Sequence, residues 1–212
     1  VLFLTTEGLV TSAQKISNSY GSLSSFYTTL DSNDYFGISS AGPGDLDGDG
    51  VADLVVGAMS HGDGSTDAGS VYVLFLTTTA VAKSAQKLSN SYGDLSLVYT
   101  VDSDDRFGSS VGDIGDLDDD GVADLIVGAR EDDDGISDTG AVYLVTLTTD
   151  GLAKSSQKIS ISHGGLSNFF TLDSEDYFGW SSAGIGDLNG DGVMDVVVGA
   201  AFDDDGGSSA GA

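Results

Sequence analysis

The chain has 212 residues, with 34 Asp and Glu against 7 Lys and Arg, and a formal net charge of −27. That balance excludes nucleic-acid binding through the protein's own positive charge and argues against docking on anionic membranes. Hydrophobic residues at 40% exclude an acidic disordered tail, and the lack of any Cys removes disulfides, thiolate metal sites and Cys nucleophiles.

No apolar run approaches the roughly 18 residues of a membrane-spanning helix, so membrane insertion is not expected. The first residue is Val1, with no charged segment of a signal peptide behind it, so the chain reads as a mature or cut segment. Residues 1–6 match residues 73–78, which lie in the middle of a repeat. Residues 1–30 are therefore expected to supply the outer two strands of a unit whose inner strands lie elsewhere. Phe36-Gly37, Phe107-Gly108 and Phe178-Gly179 then recur at a spacing of 71, as do Asp45, Asp116 and Asp187. The apolar runs 53–58, 124–129 and 195–200 keep the same step.

In the middle copy, 107–114 is a small-residue stretch that predicts a strand against a crowded neighbour. The run 125–129 predicts a short buried strand. An acidic Gly loop at 131–140 leads into 141–148, rich in β-branched residues and Tyr, and 154–160 alternates as an outer strand should. No window has a 3.6 period. The fold class is all-β, in units of four antiparallel strands, and tandem four-stranded units suggest propeller blades. Residues 1–212 form one segment, divided near 1–30, 31–101, 102–172 and 173–212, the first and last parts being half blades.

Three loops carry the chemistry. The first offers side-chain oxygens at positions one, three and five from Asp45, Asp47 and Asp49, a Gly at six and the backbone carbonyl of Val51 at seven. The second offers Asp116, Asp118, Asp120 and Val122; the third Asp187, Asn189, Asp191 and Val193. This parallels the first half of an EF-hand loop, but Val56, Val127 and Val198 stand where that motif has its last Glu. All-oxygen donors favour Ca²⁺ over Zn²⁺ or Cu²⁺, and Mg²⁺ resists the dehydration required. Three structural Ca²⁺ sites are expected.

Phe-Gly, the Asp-rich loop and Val-Gly-Ala in fixed order resemble the FG-GAP repeat of integrin α-subunit β-propellers. The resemblance covers the whole chain. It implies β-propeller blades, and it implies that Asp53, Asp124 and Asp195 close the metal sites as fourth side-chain ligands. The Pro that usually follows Gly-Ala is replaced by Met59, Arg130 and Ala201. Three repeats fall below the four to eight blades that close a ring. The half blades either meet within the chain or pair between chains, with residues 1–6 antiparallel to a strand near 196–200.

The second acidic loops (Asp63 and Asp67; Glu131 to Asp134 and Asp138; Asp203 to Asp205) read as solvated loops rather than extra cation sites. The Asp-Ser starts at Asp31, Asp102 and Asp173 read as Asx-turns. Lys15, Lys87 and Lys158 share one column of the repeat and Lys83 and Lys154 another, as edge protection or as a row facing acidic loops of a neighbouring molecule. His61 and His163 do not recur, and no nucleophile motif accompanies them, so no catalytic or cofactor-binding residue is assigned and the chain is not expected to be an enzyme. Trp180 reads as packing, with a sugar-stacking platform as the alternative. The function expected is an extracellular or cell-surface, calcium-binding propeller segment with a structural or adhesive role, partnered by itself in a ring or filament or by neighbouring repeats. The alternative is a module that recognises a glycan or protein ligand with loops on one face.

Overall fold

The computed structural model describes residues 1–26, 30–63 and 65–212. Residues 27–29, at the end of the expected first half blade, lie outside the described residues. Among the described residues the regular structure is almost all β.

The chain opens with a hairpin of β1 (Leu2–Leu4) and β2 (Val10–Ala13). A four-stranded antiparallel sheet follows in the order β3 (Ser40–Gly44), β4 (Asp53–Ala58), β5 (Ser70–Leu76), β6 (Ala82–Leu88). The second complete sheet is β7 (Phe107–Gly115), β8 (Asp124–Ala129), β9 (Ala141–Leu147), β10 (Ala153–Ser160). The chain ends in a pair, β11 (Phe178–Gly186) and β12 (Asp195–Ala200). Each complete sheet is a meander of sequential strands, which is the form of a propeller blade. The two end pairs are separate two-stranded sheets, and among the described residues no ladder joins them. Where the periodicity fails, each repeat makes a short turn of helix: a 3₁₀ turn at Leu23–Ser25, α1 at Leu95–Val98 and a 3₁₀ turn at Leu166–Asn168.

The core lies between sheets. Val55, Val71, Val73 and Phe75 of the first blade pack against Phe107, Val111, Leu125 and Tyr143 of the second. The other face of the first blade, with Tyr72 and Leu74, takes Phe3 of the opening hairpin and Ile16 just after it. The other face of the second blade, with Ile126 and Val142, takes Phe178 and Val198 of the closing pair. The order is therefore hairpin, blade, blade, half blade.

The recurring glycines set the spacing of this stack. Gly57 and Gly128 lie where a Cβ would meet the carbonyl oxygen of the next blade's Phe-Gly turn, Gly108 at 2.0 Å and Gly179 at 2.2 Å. The backbones touch, so only hydrogen fits. Ser39 and Ser110 donate their hydroxyls to the same two carbonyls, at 2.8 and 3.0 Å. The Phe-Gly and Gly-Ala motifs are thus two sides of one contact between blades. Gly128→Ala should cost about 3 kcal/mol of stability, since the methyl meets backbone and cannot be absorbed by a rotamer change. Denaturant melts of the variant measure this; an unchanged midpoint contradicts the contact.

Candidate metal centre

Each acidic loop leaves an innermost strand (β3, β7 or β11) and enters the next (β4, β8 or β12). In the first, Asp45 accepts the N–H groups of Gly48 (2.8 Å), Asp49 (3.1 Å) and Gly50 (2.8 Å). Asp116 accepts Asp120 (2.9 Å) and Gly121 (2.8 Å); Asp187 accepts Gly190 (2.6 Å), Asp191 (3.1 Å) and Gly192 (2.9 Å). The sixth position has φ near +87° at Gly50, Gly121 and Gly192, which a side chain would strain. Val51, Val122 and Val193, expected to offer carbonyls, donate their N–H groups to Asp49, Asp120 and Asp191 at 2.8, 2.9 and 2.9 Å.

These turns gather the carboxylates. Asp45, Asp47 and Asp49 each place an oxygen within 4.8 Å of the others, and so do Asp116, Asp118 and Asp120. In the third loop Asn189 holds the middle place. Its amide donates to Asp191 at 3.0 Å and its oxygen accepts the Asp191 N–H at 2.8 Å.

The aspartates at position nine stand outside those groups and brace the loop. Asp53 accepts the N–H of Leu46 through one oxygen and that of Leu76, on β5, through the other, both at 2.9 Å. Asp124 does the same with Leu117 (2.8 Å) and Leu147 (2.9 Å). Asp195 accepts Leu188 at 2.8 Å. Burial pushes the Asp53 and Asp124 carboxyls above their ordinary range, against the pull of these donors.

Lysines were placed by the sequence on outer strands, and the structure corrects their role. Lys83 on β6 reaches Asp49 and, at 2.8 Å, Asp47; Lys154 on β10 reaches Asp118 (2.8 Å) and Asp120 (2.7 Å). They serve their own blade rather than an edge or a neighbour. The Lys83 and Lys154 ammonium groups hold the Asp49 and Asp120 carboxyls below the ordinary range. In the third loop the Gly192 and Val193 N–H groups lower Asp187 and Asp191. Hard, ionised oxygens facing a cation are the donor set that suits Ca²⁺.

A family model described as FG-GAP repeat matches residues 37–74 and 178–212. The chain carries FG-GAP repeats. It is similar to integrin alpha-11 of Homo sapiens, 35% identical over 169 residues, 78% of this chain and 12% of that protein. Integrin alpha-4 of Xenopus laevis is 32% identical over 171 residues, 80% of this chain and 15% of that protein. Phosphatidylinositol-glycan-specific phospholipase D of Bos taurus is 32% identical over 170 residues, 79% of this chain and 19% of that protein. The chain thus spans less than a fifth of the length of these relatives. It is an FG-GAP segment related to the integrin α propeller.

At the opposite ends of these FG-GAP strands the second acidic loops are solvated at Asp133, Asp204 and Asp205, as the sequence reading has it, but Asp132 and Asp203 are buried. Asp132 is 1% exposed and pairs with the equally buried Lys158 at 2.7 Å; Asp134 holds the same ammonium at 2.7 Å. Tyr143 donates to Asp132 at 2.8 Å. Burial pulls the Lys158 ammonium down, and the two carboxylates more than offset it. In the first blade His61 takes the place of Asp132, 2.9 Å from Asp34, and Lys87 pairs with Asp63. The Asx-turn reading also shifts: the capping carboxylates are Asp34, Asp105 and Asp176, each accepting the N–H of the residue three before it, Asp31, Asp102 and Asp173 (2.6, 2.8 and 2.6 Å). Trp180 is not alone. Tyr177 and Phe202 meet it edge-on at 6.0 and 5.3 Å, and Arg130 stacks over it at 4.4 Å. Recurrence of Lys and Asp in fixed columns was the signal for these pairs; which column met which loop was not in it.

Two predictions follow from this geometry. Lys83→Met with Lys154→Met removes ammonium groups that compete with a divalent ion for the same oxygens. Calorimetry should show binding at the first two loops tightened about thirtyfold, since a unit charge near 4 Å from a divalent ion is worth about 2 kcal/mol in water. Unchanged affinity contradicts the competition. The second concerns Asp105, whose carboxyl is pushed up to about 7 by burial and then by Asp132. An unfolded Asp titrates near 4, so the folded state binds the extra proton between pH about 4 and 7 and stability falls as pH rises through that window. Asp105→Asn keeps the acceptor for Asp102 and should flatten that slope in melting temperature against pH; a slope equal to the parent's contradicts it.

Proposed function

We propose that this FG-GAP segment is an extracellular, calcium-stapled propeller segment with a structural or adhesive role and no catalysis of its own. The observation that carries the reading is the pair of three-carboxylate loops, each already drawing a lysine ammonium against its oxygens. Asp45, Asp47, Asp49 and their counterparts would hold the ion with the carbonyls of Val51, Val122 and Val193. Asp53, Asp124 and Asp195 would close the sites, as the family resemblance implies. Bound calcium supplies positive charge that offsets the carboxylate repulsion of a chain with net charge −27. Because Asp53 and Asp124 also bond the third strand, an ordered loop stiffens the blade. The integrin names among the relatives support a place at the cell surface. Among the described residues no helix is long and apolar enough to cross a membrane.

A second reading, recognition of a glycan or protein ligand, is favoured by the exposed Trp180 beside Tyr177 and Phe202 at a cavity of about 420 Å³. Binding on a glycan array that is lost in Trp180→Ala would raise it above the first.

Extracellular modules bind calcium with Kd of roughly 10⁻⁴ to 10⁻³ M. At about ten times Kd, three sites would add about 4 kcal/mol, or roughly 10 °C in melting temperature for a chain of this size. A chelator should remove that increment. Asp49→Ala, Asp120→Ala and Asp191→Ala combined should melt in calcium nearly where the parent melts in chelator. A parent melting curve indifferent to chelator overturns the stapling role.

A further inference from the structure

We propose that Asn189 is a site of self-modification: the backbone nitrogen of Gly190 displaces its side-chain nitrogen as ammonia, and water then leaves a carboxylate where the amide stood. Of the asparagines in the chain, Asn189 alone precedes a glycine. The step needs a backbone nitrogen that no side chain crowds, and Gly190 supplies it. Among the described residues nothing lies within 4 Å of where a Cβ would stand on Gly190, and its φ is +81°. Asn189 and Gly190 are both exposed. Their counterparts in the first complete blade, Asp47 and Gly48, are exposed as well, so the access belongs to the loop itself.

The third loop already holds the reacting groups together. The Asn189 side-chain oxygen accepts the N–H of Asp191 at 2.8 Å, a turn whose hydrogen-bonded ring contains the Gly190 nitrogen. The carbon to be attacked and the nitrogen that attacks it are thus members of one small ring, and such proximity lowers the barrier of an intramolecular step. The Asp191 N–H also lies on the oxygen where negative charge gathers as the new bond forms. The departing nitrogen donates to the Asp191 carboxylate at 3.0 Å, and the Gly190 N–H donates to that of Asp187 at 2.6 Å. Asn18 and Asn90 are held differently. Each bonds one distant backbone residue through both its oxygen and its nitrogen, Leu30 and Val101, and each precedes a serine.

The Gly190 nitrogen bonds to the side-chain carbonyl carbon of Asn189, and the bond from that carbon to the amide nitrogen breaks. The Gly190 proton, carried by solvent, departs on that nitrogen as ammonia, and a cyclic imide remains. Water opens it, the hydroxyl going to a carbonyl carbon and the hydrogen returning to the Gly190 nitrogen. Opening at the side-chain carbonyl leaves an ordinary aspartate at position 189. Opening at the backbone carbonyl leaves an isoaspartyl link, which adds a methylene to the main chain and disrupts the turn. The ordinary product suits the loop. In the first loop Asp47, at the same position, accepts the Asp49 N–H at 3.3 Å, as Asn189 accepts that of Asp191. The third loop would then carry the same three carboxylates that the first two gather.

The test is peptide mapping by mass spectrometry after the full chain is aged in chelator at mildly alkaline pH. The peptide that carries Asn189 should gain the mass difference between a hydroxyl and an amino group, severalfold faster than peptides carrying Asn18, Asn33, Asn90 or Asn168. Asn189→Gln should abolish the gain in that peptide, and Gly190→Ala should slow it severalfold, both with unchanged circular dichroism. A gain no faster than at the other asparagines overturns the proposal, and so does a gain that keeps its rate in Gly190→Ala. The effect on calcium rests on the calcium reading above. In calorimetry on fresh protein, Asn189→Asp should bind calcium at the third loop about thirtyfold more tightly, since it adds a unit charge near a divalent ion. Unchanged affinity overturns the calcium reading of that loop and leaves the mass gain in chelator standing, so the two failures are told apart.

Discussion

One buried carboxylate per blade connects the loop chemistry to the fold. Asp53 and Asp124 each accept one N–H from the acidic loop and one from the third strand. The loop cannot open without losing a bond to the sheet, and a buried carboxylate stripped of a donor is costly. The position that reads as a fourth ligand is therefore also a fastening between the innermost turn and the middle of the blade. Any ion held by the triad acts on the sheet through it.

The second constraint is the distance between blades. Gly57 and Gly128 let the next Phe-Gly turn approach to backbone contact. That contact brings the faces close enough for Val55, Val73, Phe107 and Tyr143 to form one core across the interface. Apolar burial between blades supplies most of the favourable free energy, as expected for stacked repeats in which each unit is stabilised by its neighbours. The end pairs have only one such neighbour, and their outward surfaces remain apolar.

The few basic residues answer the charge problem locally. Lys83 and Lys154 stand at one end of the strands against the metal-type loops, and Lys87 and Lys158 at the other against the second acidic loops. A chain of this net charge gains little from exposed pairs. Lys158, buried between two carboxylates and a tyrosine network, is different: removing one member would leave a charge without compensation.

The 71-residue spacing, the all-β class, the four strands of each complete blade and the gathering of Asp45, Asp47 and Asp49, and of Asp116, Asp118 and Asp120, were legible in the sequence. They are local or periodic features: a turn needing Gly at one position, an alternation, a repeated run. The partners of the lysines, the bracing role of Asp53 and the capping by Asp34, Asp105 and Asp176 were not. Each joins residues whose meeting depends on how β4, β5 and β6 lie side by side, or on which end of a strand a side chain reaches. The aromatic cluster at Trp180 likewise arises only when Tyr177 and Phe202, which flank the closing pair, are brought to one end of it. Sequence determined the repeating unit; tertiary structure decided the contacts between strands and blades, because registry and stacking, and not composition, place a charge beside its counter-charge.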